Sequence, residues 1–106
     1  MEETERRFNR AMVTIYETAK REIGYNATRF LQMVSEHGGV VAAKHLLATE
    51  TPSDGFTTLW THHRLDLTVE AHVLLPEYES LFSDQDREKA RARLDQYGWT
   101  PKPPRV

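Results

Sequence analysis

The sequence contains no cysteine, which excludes disulfides, thiolate zinc sites and cysteine nucleophiles together. That composition fits a reducing compartment. No apolar run approaches the roughly 20 residues needed to span a bilayer. The opening Met1-Glu2-Glu3-Thr4-Glu5 is acidic and has no apolar stretch behind it, unlike a secretory leader. A cytoplasmic protein with no membrane contact is therefore expected. Sustained apolar/polar alternation is missing too, so strands are not expected. The Gly-x-x-x-x-Gly-Lys-Ser/Thr, HExxH and Gly-x-Ser-x-Gly patterns are also absent, and with them the usual spacings for phosphate cradles, zinc hydrolases and serine nucleophiles. Nothing in the pattern requires a cofactor, and a non-enzymatic protein is the expectation.

What is present is ordinary in amount and distinctive in arrangement. With 106 residues, 39% hydrophobic and 28% charged, the chain is long enough for one stable core. Phe8, Met12, Ile15, Ala19 and Ile23 recur at helical spacing, which predicts a helix over 4–23 ended by Gly24. Asn26 is expected to cap a second helix, 27–37, and Gly38-Gly39 to separate it from a third, 40–47. Ser53 or Asp54 is expected to cap a short fourth helix, with Phe56, Leu59 and Trp60 on one side. The greasiest stretch, Arg64 to Phe82, predicts a helix from Asp66 to Leu75, broken by Pro76. Ser83 and Asp86 form a capping-box pattern for the last helix, 84–97, which Gly98 ends. The expected fold is all-α: an irregular bundle of five to six helices with the 65–75 helix central. The domain is expected to span 1–98, followed by an extended Pro-rich tail over 99–106.

Several constellations could carry function. His62, Asp66 and Glu70 are spaced by four, so on one continuous helix they would align as ligands of a divalent metal. The structural alternative has Asp66 as the N-cap and Glu70 held by Arg64 or Arg29, making Arg64, Asp66 and Glu70 a polar cluster. The 27–47 segment has the helix-turn-helix outline of a DNA reader, with Lys44 and His45 as its polar contacts. Arg87, Arg91 and Arg93 give the last helix a basic face despite a net charge of −2. Trp60 and Trp99 are expected as core anchors. His72 is expected to be a core or edge residue with one hydrogen bond.

The blocks RFLQMVSEHGGVVAAKHLL, RLDLTVEAHVL and ARARLDQYG, in that order, resemble a small all-helical family of bacterial proteins without assigned function. Its members occur as single chains or as accessory modules beside larger proteins, some of them nuclease- or restriction-like. The resemblance implies an accessory or interaction role with a protein partner and supplies no catalytic residues. Two other readings remain: a DNA-binding accessory protein using 27–47 or the basic 87–93 helix, and a metal-dependent enzyme at His62, Asp66 and Glu70.

Overall fold

The computed structural model describes residues 2–100. Residues 101–106 of the expected Pro-rich tail lie outside them. The described residues form six α-helices and two 3₁₀ segments, with no strand: α1 (Glu3–Ile23), α2 (Thr28–His37), α3 (Gly39–Ala48), α4 (Asp54–Thr61), a 3₁₀ turn (Leu65–Leu67), α5 (Val69–Val73), a 3₁₀ helix (Pro76–Leu81) and α6 (Asp84–Gln96). The all-α bundle expected from the sequence is thus observed.

The α1 helix is the beam against which α2, α3 and the two 3₁₀ segments pack. Its buried face is the expected stripe of Phe8, Met12, Ile15 and Ala19. Gly24 ends it in the left-handed region at φ 71°, so that its own N–H and that of Tyr25 both turn back onto the Ala19 carbonyl. Around Phe8 the chain closes an aromatic cluster. Tyr78 and Phe82 meet its ring edge to face, with centroids 5.0 and 5.1 Å away. Pro76, at the first position of its 3₁₀ helix, starts the turn that returns these two rings to α1.

The α1–α3 crossing depends on a missing side chain. Asn9 Oδ1 accepts a hydrogen bond from the Gly39 N–H, so a residue of α1 caps α3 from 30 positions earlier. A Cβ on Gly39 would lie 2.8 Å from Asn9 Oδ1 and 3.2 Å from the Asn9 Cα, which belongs to the backbone and cannot rotate away.

The central segment departs from the sequence expectation. Residues 66–75 are not one helix. Thr68 is extended (φ −79°, ψ 155°) and caps α5. Its hydroxyl donates to the Leu65 carbonyl at 2.7 Å and accepts from the Ala71 N–H at 3.1 Å. A threonine that satisfies local backbone groups in this way competes with helix continuation. Asp66 is therefore not the cap. The short α5 is nonetheless central: Val69, Glu70, Ala71 and Val73 are all buried. Val69 and Val73 face the main core, while Ala71 joins Phe56, Leu65 and Leu94 in a second cluster.

Two further expectations are corrected. Ala27, not Asn26, occupies the α2 cap position and makes no side-chain cap bond; Asn26 Oδ1 instead accepts the Tyr16 hydroxyl, closing the α1–α2 corner. Trp60 is 45% exposed rather than a core anchor, with its ring against Tyr97. The Ser83–Asp86 capping box forms as expected.

Substituting Gly39→Ala should destabilise the protein by about 2 kcal/mol, because the helices must separate and the Asn9 cap is strained. Equilibrium denaturation measures this, and a loss below about 0.5 kcal/mol would show that the crossing tolerates a methyl group.

Candidate functional site

The structure scatters the proposed metal ligands. His62 is exposed at the C-terminal end of α4. Asp66 is exposed and chelates Arg64, accepting from Nε at 3.1 Å and Nη2 at 3.3 Å. Glu70 is buried elsewhere. Because Thr68 breaks the helix between them, the four-residue spacing no longer aligns the three, and no group of three His, Asp or Glu among the described residues is placed to hold a metal ion.

Glu70 does have an arginine partner, but neither Arg64 nor Arg29. Arg64 pairs with Glu22 as well as Asp66, joining the end of α1 to the 3₁₀ turn. The hydrogen bond from Arg64 holds the Glu22 carboxyl below its usual range, and the bonds to Asp66 first and Glu22 second leave Arg64 more firmly protonated. The partner of Glu70 is Arg93 of α6, at 3.0 Å from Oε2, and both side chains are almost wholly buried (3% and 6% exposed). Arg93 also donates to the carbonyls of Leu46 and Thr49 at 3.2 and 2.6 Å. One guanidinium therefore neutralises a buried carboxylate and satisfies two carbonyls at the C-terminal end of α3, where the helix dipole favours a cation.

This placement removes Arg93 from the expected basic face. Its spacing two residues from Arg91 carried it to the opposite side of the helix, into the seam against α5. The others are compensated: Arg87 faces Glu79 at 3.3 Å and Asp84 at 3.6 Å, and Arg91 faces Glu88 at 2.8 Å. Lys44 and His45 are exposed on α3 beside Val41, which is 54% exposed, so this helix presents a partly apolar face. His72 Nδ1 lies 2.9 Å from the Thr68 carbonyl, a hydrogen bond made within its own turn of helix.

What sequence reasoning missed is a crevice of about 450 Å³ between the α1–α2 corner and the end of α3, the start of α4 and the start of α5. Ile15, Ala19, Phe30, Met33, Leu59 and Leu67 give it apolar walls. Tyr16, Tyr25 and Phe56 add rings, and Arg29, His45 and Asp54 are exposed residues along its lining. Thr68, Val69 and Glu70 close it where α5 begins. Its size is that of a ligand or anchor-residue pocket. Burial pushes the Tyr25 phenol above its ordinary range, and the Asp54 charge adds to the effect. The pocket is assembled from residues spread over 56 positions of chain, so only the aromatic content of 25–30 hinted at it.

The chain matches no family model, no curated protein and no solved structure.

Removing Arg93 alone (Arg93→Met) should destabilise the protein by about 3–5 kcal/mol, since it strands a buried carboxylate. The double variant Glu70→Leu/Arg93→Met should recover most of that loss, ending within about 2 kcal/mol of the parent. Denaturant titration of the three proteins checks this, and equal losses in single and double variants would show that the carbonyl contacts dominate. Because the raised Tyr25 value favours the protonated fold, its contribution is complete below the ordinary tyrosine range and lost as pH rises through the folded value. Ultraviolet titration of Tyr25→Phe should accordingly lose amplitude from the late-titrating limb that Tyr25 shares with Tyr78.

Proposed function

We propose that the protein is a non-enzymatic interaction module, accessory to a protein partner, and that the crevice is where the partner anchors. The observation that carries this reading is the crevice itself: an apolar hollow of about 450 Å³ with a polar rim, positioned by a buried ion pair. A hollow of this size holds one or two anchoring side chains, the part of an interface in which binding energy concentrates.

The use of the polar side chains supports the same reading. Glu70 and Arg93 neutralise each other, Asp66 and Glu22 are spent on Arg64, and Thr68 is engaged by backbone. These contacts serve the architecture. The resemblance of the sequence blocks to accessory modules points in the same direction.

Amide NMR spectra recorded with small apolar probes such as phenol and isopropanol test the site. Perturbed amides are expected to cluster at the crevice, around Ala19, Ala27, Leu46 and Gly55, and the variant Ala27→Phe should suppress them. Perturbations concentrated instead at Val41, Trp60 or Leu75, the large exposed apolar residues, would transfer the docking point to another face.

A further inference from the structure

We infer that the crevice accepts an acidic segment of the partner, one that seats an apolar side chain between its walls and places a carboxylate against Arg29 and His45. This rests on the interaction-module reading and names the kind of partner that the module selects.

The fold spends most of its cations on its own carboxylates. Arg64 holds Glu22 and Asp66, Arg87 faces Glu79 and Asp84, Arg91 faces Glu88, and Arg93 holds Glu70. Arg29 is not spent. It lines the crevice from the first turn of α2 and is exposed, and its side chain makes no ion pair or hydrogen bond with the described residues. His45 lines the same crevice from the last turn of α3 and is likewise exposed and unpaired among them. The two come from the ends of α2 and α3 that lie away from the Gly38 connection. Arg29 supplies a permanent charge on a planar fork that matches a carboxylate, and the imidazole supplies an N–H in either tautomer.

The surroundings reinforce this sign. The α2 helix begins on the crevice at Thr28 and Arg29, with no side-chain cap and no acidic residue in its first turn, so the positive end of its dipole adds to the Arg29 charge. The negative end of α3, beside His45, is already answered by Arg93 at the Leu46 and Thr49 carbonyls. Two carboxylates belong to the lining. Glu70 is buried and neutralised by Arg93. Asp54 comes from a different element, in the first turn of α4, where that helix dipole offsets it and where its charge is felt by the Tyr25 phenol. The lining is thus positive where α2 and α3 contribute and negative where α4 does. A basic segment finds Asp54 alone, whereas an acidic one finds both Arg29 and His45. Ile15, Phe30, Met33 and Leu59 receive the apolar anchor beside them. Exposed pairs of this kind add little affinity, but they discriminate between partners.

Capped pentapeptides with a central leucine, differing only in whether glutamate, glutamine or lysine follows it, test this by NMR titration of the full chain. The glutamate peptide should shift crevice amides and bind about threefold or more tighter than the glutamine peptide, with lysine weakest, and the gap should narrow as salt is raised. In Arg29→Gln/His45→Ala, which alters two exposed side chains without internal partners, glutamate and glutamine peptides should bind alike while their crevice shifts persist. Equal binding of the two in the parent would overturn the inference and leave the interaction module standing. A glutamate preference that survives in the double variant would assign the charge recognition to other residues and likewise overturn it. Absence of saturable crevice shifts with all three peptides, where phenol and isopropanol do bind, would reject the acidic segment alone; absence with those probes as well would reject both readings.

Discussion

The buried pair of Glu70 and Arg93 is the constraint on which the arrangement turns. Two opposite charges lie where neither would be stable alone, at 3.0 Å. The pair fixes α6 against α5, and through the Leu46 and Thr49 carbonyls the same arginine fixes the end of α3. Apolar packing brings these elements together without strong directional preference. The guanidinium supplies direction, because its planar fork is met at once by one carboxylate and two carbonyls. The crevice borders this junction, since the end of α3 and the start of α5, both held by Arg93, form part of its wall.

Much of the secondary structure was legible in the sequence because it is set locally. The α1 stripe, the Gly24 and Gly38 punctuation, the Ser53 and Ser83 caps and the break at Pro76 each depend on residues within one or two turns. The central helix was misread for an equally local reason. Thr68 lies inside a continuous apolar pattern, and periodicity alone does not reveal that its hydroxyl will hold Leu65 and Ala71 and stop the turn between them. Trp60 was misplaced because a helix of 8 residues has too few positions to define its buried side.

The candidate site was legible only in part. That Glu70 requires a cation follows from its apolar setting. Which cation does not: Arg64 and Arg29 were the expected candidates, and the actual partner lies on a helix 23 positions away. The same gap explains why Arg93 was read as surface: α6 is highly charged, and a charge-rich helix shows no sign of which arginine faces inward. A crevice is further still from the sequence, being the space that the packing of several elements leaves unfilled.

Both ends of α3 are closed by residues from far along the chain. Its first N–H is held by Asn9, 30 positions before, and its last carbonyls by Arg93, 44 and 47 positions after. A ten-residue helix is too short to persist in water by itself, and here the Gly39 N–H and the Thr49 carbonyl take their partners from α1 and α6, while the Leu46 carbonyl also accepts from the Thr49 hydroxyl. The helix-turn-helix outline of α2 and α3 is therefore not an independent unit that could be lifted out of the chain. Loosening of α1 at Asn9 or of α6 at Arg93 is felt at α3, so the domain should lose its structure as one cooperative body.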